Sequence, residues 1–353
     1  MNELDLYTPA TLTHAVNKII PENLYLTKVL GRKAPITAPT EAVIFDVKEG
    51  RRDLAPVGHP GDPATRVDLA NTFKTYTVTP PQIFLEDPIR ASSVAALRMA
   101  GQSPITVGSG DASGVTAAFN EYVAEKQKNM SDAIYRRIEW MFAQVLTTGG
   151  ISYTAANGRK FSIDYDVPDT NRFTASAKWD AASSAPDPIL QLRQWQRTFA
   201  ELNGMNPTVM ICGQAAADAF RANSDTKNWM KSAGVQILQT NMGVNEDMVT
   251  PVAVIPGLGT LVEYSGKYPR DADGVSTFYI GTNDLVLTHP DLWQLHFGAI
   301  YDFDLGDNPV AMVPRYSKIK ESHDGKTKSL FVESHPLPVL EINTGVMVVT
   351  VAG

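Results

Sequence analysis

The chain is poor in the residues that staple or metallate a fold. It has one cysteine, Cys212, among 353 residues. No intrachain disulfide and no cysteine-based zinc site can form, which fits a reducing cytoplasm. Its six histidines, His14, His59, His289, His296, His323 and His335, are scattered. None falls in a His-Glu-x-x-His zinc pattern. His289 and His296 would lie about 23 Å apart along a strand, too far to share a metal. No run approaches the roughly 18 apolar residues of a membrane span. The first residues, Met1-Asn2-Glu3-Leu4-Asp5, lack the basic and apolar regions of a signal peptide, so none is expected. Positive charge is not in surplus: the formal net charge is -7. That argues against nonspecific adhesion to nucleic acid or to an anionic membrane surface.

Catalytic motifs are also missing. Gly108-Ser109-Gly110 begins like a dinucleotide fingerprint, but the sixth position is Ser113, and a linker entering a helix explains it better. There is no Walker-type Gly-Lys-Ser/Thr and no Gly-x-Ser-x-Gly elbow. Asp302, Asp304 and Asp307 resemble a calcium loop loosely, with the glycine and distal glutamate out of place. They read as a solvated loop, and Asp271 and Asp273 as turn residues. Cys212, in an apolar run, reads as an inert core thiol. An enzyme would have to assemble its site from scattered groups such as His289, Asp291, Asp302 and Asp304.

What the chain does have is length, apolar content and one very long helix. Hydrophobic residues make up 43% and charged residues 20%. That is enough for two domains or one large elaborated one, with surface left for subunit interfaces. From about Asp111 to Thr148 apolar residues recur at three- and four-residue steps: Val115, Phe119, Tyr122, Val123, Met130, Ile134, Ile138, Met141, Phe142 and Val145. This spacing marks one helix face. Gly149-Gly150 can end the helix, and the rod would be about 50 Å long. Such a rod wants a large partner surface.

Around it, residues 1–40 read as an extended arm, with short apolar pieces broken by Pro9, Pro21, Pro35 and Pro39. Ala42–Val47 and Thr72–Thr79 are strand candidates. The stretch between them is rich in Gly, Pro, Arg and Asp, and a loop of more than about 15 residues is usually functional or disordered. Its charges Arg51, Arg52, Asp53, Arg66 and Asp68 suit pairing with a neighbouring subunit. A helix-like piece follows at Ile89 to Ala100. Past the long helix comes a hairpin across Asn157-Gly158. A helix spans Pro188 to Leu202, started by Asp187-Pro188, and a buried strand spans Thr208–Cys212. Next come a short helix at Gln214 to Arg221 and a series of strands. Val310 to Lys320 and Lys326 to Ser334 flank Asp324-Gly325 as a long hairpin, and Val339–Ile342 and Val346–Val351 are the last strands. This mixture predicts an α+β fold. Arg136 and Arg137 on the long helix, and Lys74 beside the loop, read as surface or interface charges.

The order of these pieces, with particular stretches, resembles the major capsid proteins of tailed bacteriophages in the lambda-like capsid protein E family. The stretches are Leu85-Glu86-Asp87-Pro88, Trp179 followed by Asp187-Pro188, Tyr264-Ser265-Gly266-Lys267-Tyr268, Arg315-Tyr316 with Lys318, and Ser334-His335-Pro336-Leu337-Pro338-Val339. The resemblance covers nearly the whole chain and implies the Hong Kong 97 capsid fold. Residues 1–40 would be the N-terminal arm and 41–86 the extended loop over a neighbouring subunit. Residues 87–185 with 300–336 would form the peripheral domain around the spine helix. Residues 186–299 with 337–353 would form the axial domain.

The function implied is self-assembly into pentamers and hexamers that form an icosahedral or elongated head shell around double-stranded DNA. No catalytic residue, cofactor or metal is expected. Predicted contacts between subunits are Arg51, Arg52, Asp53, Arg66, Asp68, Lys74, Arg136 and Arg137. Expected partners are further copies of the chain, a scaffolding protein and portal during assembly, and a decoration protein. Packaged DNA would be held without sequence-specific contact, and no membrane is involved. The protein would be part of the virion, assembled in the host bacterial cytoplasm. A cellular compartment shell of the same fold, or another phage structural component, is the alternative.

Overall fold

The computed structural model describes residues 7–22, 24–48, 73–90, 112–154, 158–181, 185–232, 248–270, 274–305, 309–322 and 327–353. Its longest element is the helix Ala112–Thr148, 37 residues, here called the spine. Met130, Ile134, Ile138, Met141, Phe142 and Val145 are buried along it, as their spacing predicts. Each such side chain stabilises by about 1.5–3 kcal/mol when fully buried. The spine stops where Gly149 turns left-handed at φ 78°, with its N–H still donating to Val145 O at 3.0 Å. Gly150 then begins a strand, and a Cβ there would lie 2.4 Å from the Ile163 carbonyl oxygen. Only glycine allows that close approach.

The N-terminal segment departs from the extended arm that its prolines suggest. It forms two helices, Pro9–Lys18 and Tyr25–Leu30. Pro9 sits in the first turn behind a Thr8 cap, where a missing N–H costs nothing. Pro21 lies in the connection. Leu12, Val16, Leu26 and Leu30 are buried, because both helices pack on the spine. The first also packs on the strand Tyr316–Glu321, where the Thr13 hydroxyl accepts the Ser317 N–H at 3.1 Å.

Val43–Lys48 and Phe73–Val78 pair antiparallel as a two-stranded ribbon. Val43, Phe45 and Val47 face the body, and Ile44, Asp46 and Lys48 face out. Ile83–Arg90 is the edge of a three-stranded sheet with Thr327–Ser334 and Tyr316–Glu321. The helix-like piece expected from Ile89 is therefore wrong at its start: Ile89 and Arg90 are strand. Pro88 is accommodated because an edge strand leaves one row of N–H groups unpaired. Residues 91–100 lie outside the described residues, as do Gly108-Ser109-Gly110, Asp271, Asp273, Asp307 and the Asp324-Gly325 turn.

Beyond the spine, Gly150–Thr154 and Lys160–Asp164 form the expected hairpin. A six-stranded mixed sheet follows. Its order is Arg172–Thr174, Val346–Thr350, Asp284–Thr288, Val209–Cys212, Gly259–Tyr264 and Val249–Ile255. Pro188–Asn203, Gln214–Ala222 and Ser224–Ser232 are its accompanying helices. Asp187 caps the first through Ile189 N–H at 2.9 Å, and left-handed Gly204 ends it. A third sheet joins Ile36–Thr37, Trp293–Phe297 and Pro336–Leu340. One apolar cluster runs continuously from Leu12 through the spine to Ala352. Cys212 is buried in it, and burial pushes its thiol pKa up.

Candidate assembly surfaces

Three surfaces around the spine bear on what the molecule can do. The first is a clamp between spine and arm. Asp132 Oδ1 accepts the Glu22 N–H at 2.7 Å. Arg136 Nε donates to Glu22 Oε2 at 2.6 Å. Glu139, fully buried, accepts from Leu26 N–H at 2.8 Å and the Tyr264 hydroxyl at 2.7 Å on Oε1. Its Oε2 accepts from Thr27 N–H and the Thr27 hydroxyl, both at 2.7 Å. Steps of four and three residues place these side chains on one spine face. The helix Tyr25–Leu30 has no side-chain cap of its own at Leu24. Glu139 supplies the missing acceptor from the spine, with its charge at the positive end of the helix. Burial raises the Glu139 carboxyl pKa, and the donors from Thr27, Tyr264 and Leu26 only partly oppose it. Tyr264 belongs to the six-stranded sheet, so one carboxylate ties arm, spine and sheet together.

The second surface is the ribbon root. Lys74 pairs with Asp166, and the Tyr76 hydroxyl donates to the same carboxylate at 2.9 Å. The Lys74 bond, then that of Tyr76, holds the Asp166 carboxyl below its usual pKa. Phe45 stacks on Tyr76 at 5.4 Å. The outer face differs. Ile44 is 65% and Phe73 58% exposed, and the register puts Lys48 opposite Phe73 and Thr77 opposite Ile44. The chain between the two strands carries Arg51, Arg52, Asp53, Arg66 and Asp68, which lie outside the described residues.

The third surface is a groove of about 240 Å³ between the start of strand Ile83–Arg90, the spine and the hairpin after it. Arg137 lines it, its guanidinium 5.1 Å from the Trp140 ring centroid and 5.0 Å from that of Tyr153. Cation–π attraction of this kind holds an arginine between two aromatic rings.

The charged residues expected at contacts therefore separate. Lys74 and Arg136 meet acids of their own chain, and Arg137 lies in the groove. Glu139 and Asp132 are not legible in the sequence: they lie off the apolar stripe of the spine, on the face that carries Arg136, and their partners Glu22, Leu26, Thr27 and Tyr264 are far away in the chain. The scattered groups of the enzyme alternative do not converge. Asp291 pairs with Arg32, whereas Asp302 and Asp304 pair with Lys318. His289 Nδ1 accepts the Asp291 N–H at 3.1 Å. Among the described residues no group of three or more His, Cys, Asp or Glu side chains is placed to hold a metal. None of the described helices is long and apolar enough to cross a membrane.

The model of the family described as phage major capsid protein E matches residues 8–351. No curated protein matches the chain. Among solved structures, the chain is similar to a protein described as a capsid protein of an E. coli CFT073 prophage. The TM-score is 0.71 and the identity 18%, over 98% of this chain and 99% of the other. It is also similar to a phage-related protein of Bordetella bronchiseptica RB50, with a TM-score of 0.52 and 14% identity over 97% and 96% of the two chains. The α+β architecture is of the Hong Kong 97 type. The chain belongs to the phage major capsid protein E family, and it is a structural subunit of the virion whose copies form the head shell.

Proposed function

We propose that this subunit assembles as pentamers and hexamers into a closed icosahedral or elongated shell around double-stranded DNA. In this reading the ribbon and the loop beyond it reach over a neighbouring copy. The observation that supports it most is the ribbon's asymmetry. Its inner face is packed on the body, yet Ile44 and Phe73 are left in solvent on the outer face. Apolar burial there and in the loop would supply most of the affinity, with Arg51, Arg52, Asp53, Arg66 and Asp68 setting register. Arg137 would act through its groove. Lys74 and Arg136 would act by holding the ribbon root and the arm that border neighbouring copies.

The peripheral domain is proposed as residues 87–185 with 300–336, and the axial domain as 186–299 with 337–353. Arg172–Thr174 is hydrogen-bonded into the six-stranded sheet beside Val346–Thr350, which ties the two across that boundary. The role is structural, with no reaction and no cofactor. A net charge of -7 would limit sticking between wall and genome. Assembly would occur in the host cytoplasm with a scaffolding protein and portal, and a decoration protein would join the outer surface.

Negative-stain microscopy of the overexpressed full-length chain tests this reading. Hollow spheres or ring-shaped capsomers are expected. Tubes would move the protein to another phage structural role, and small monodisperse particles would remove the shell assignment.

A further inference from the structure

The two helices of the N-terminal arm are held in different ways. Tyr25–Leu30 is clamped by the buried carboxylate of Glu139, which accepts the N–H groups of Leu26 and Thr27. The first helix, Pro9–Lys18, ends on a buried arginine. Arg315 Nη2 donates to Ile19 O at 3.1 Å, the carbonyl of the residue that closes this helix. The Arg315 carbonyl in turn accepts from Asn17 Nδ2 at 2.7 Å. A cation at the last carbonyls of a helix suits the negative end of its dipole.

The rest of this guanidinium is poorly matched. Arg315 is 3% exposed, and its Nε and Nη1 are buried without a hydrogen-bond partner. The Tyr135 ring lies 5.3 Å away. Asp132, one turn earlier on the spine, is turned instead to the Glu22 N–H. Burial pulls the Arg315 pKa below its usual value, and the opposing effects of Tyr135 and Asp132 do not restore it. A buried charge with donors left over disfavours the state that buries it.

We propose that Arg315 is a spring under the first arm helix: its buried, half-matched charge makes Pro9–Lys18 a strap that lifts from the spine as a unit of its own, while Tyr25–Leu30 stays clamped at Glu139. Asn17 and Ile19 form part of the cover over Arg315, so lifting them admits water to the guanidinium. Both stranded donors are then satisfied. That gain offsets part of what is lost when Leu12 and Val16, the apolar anchors of the helix, leave the core.

The link after the helix offers little resistance. Ile20 is 85% exposed, and the described polar contacts of the link beyond Ile19 are the Glu22 N–H on Asp132 and the Glu22 carboxylate on Arg136. Segments with few buried apolar contacts open below the free energy of global unfolding. The inference concerns the single subunit and does not depend on the shell reading. A role for Arg315 as a helix cap alone makes the opposite prediction, because removing a cap loosens the helix it holds.

Hydrogen exchange followed by mass spectrometry on the full-length chain tests this, with Arg315→Gln and Arg315→Lys beside wild type. In wild type the amides of residues 12–18 are expected to exchange through an opening that leaves Leu26 and Thr27 protected. Arg315→Gln removes the charge and keeps a donor for Ile19 O. It is expected to slow exchange at residues 12–18 about tenfold, with Leu26 and Thr27 unchanged. Arg315→Lys keeps the charge and is expected to exchange there at least as fast as wild type. Exchange of residues 12–18 together with Leu26 and Thr27 in wild type would overturn the separate strap. Faster exchange in Arg315→Gln, or failure of that variant to fold, would make Arg315 a plain cap and overturn the spring. Equal slowing by Gln and Lys would remove charge as the cause and overturn it as well.

Discussion

The clamp at Glu139 and the ribbon root at Asp166 are built from the same parts and differ in what surrounds them. Each is a carboxylate that takes donors from elsewhere in the chain, a tyrosine hydroxyl among them. Glu139 is sealed from solvent with four donors, from an arm helix and a sheet strand. Asp166 lies half in water with Lys74 and Tyr76. Buried and fully bonded, the first leaves no good alternative geometry, because any departure strands a polar group. Exposed, the second is screened and can exchange its partners for water. The contrast suggests a division of labour. The clamp fixes the arm to the spine within one subunit, and the ribbon is held lightly enough for its loop to meet a neighbour.

The comparison breaks most visibly at Glu139. Glu139→Ala would leave the N-terminus of Tyr25–Leu30 uncapped and Tyr264 without its acceptor. It is expected to cost about 3–5 kcal/mol, because it strands several buried donors at about 1–3 kcal/mol each, as read by chemical denaturation. Tyr264→Phe removes one of the four donors and should cost about 1–2 kcal/mol. A Glu139→Ala protein as stable as wild type would refute the clamp.

The two acids also carry opposite pH signatures. The Glu139 pKa is raised on folding. Its titration therefore contributes stability that is fully present below the unfolded carboxyl value and is lost as pH rises through the folded value. The Asp166 pKa is lowered, so its contribution is present above the unfolded value and is lost as pH falls through the folded value. The cost of Glu139→Gln relative to wild type should shrink as pH rises from acid to neutral, whereas that of Asp166→Asn should grow. Denaturation midpoints measured across that range check both, and two costs moving in the same direction would remove the distinction. The smallest effect is expected at Lys74, an exposed partner of Asp166, where Lys74→Ala should lower the melting midpoint of the subunit only slightly at neutral pH and not in acid, where the carboxyl is protonated.

Much of this architecture is legible in the sequence, and the reasons for the rest are physical. The spine declares itself by the period of Ile134, Ile138, Met141 and Val145 and by the glycine pair that ends it. The hairpin across Gly158 and the capped helix after Asp187 follow from turn and cap chemistry, which is local. The arm misleads because proline usually breaks a helix, whereas Pro9 occupies the one helical turn that tolerates it. Ile83–Arg90 is hidden by Pro88, which an edge strand accepts. Ser224–Ser232 has no strong apolar stripe and is started by Asn223, whose Oδ1 accepts the Asp225 N–H at 2.9 Å. Glu139 and Arg315 depend on contacts between residues far apart in the chain. No local pattern announces which acid or which arginine will be buried. The family resemblance carries the function, because its motifs follow one order over nearly the whole length.

The central claim is that the ribbon and its loop build the shell while the body folds without them. Sedimentation velocity of the full-length chain beside a deletion of residues 50–68, with the melting midpoint of each, tests it most directly. The account predicts that the deletion keeps the wild-type midpoint and loses all fast-sedimenting closed particles. Particles of normal size and yield from the deletion would contradict it.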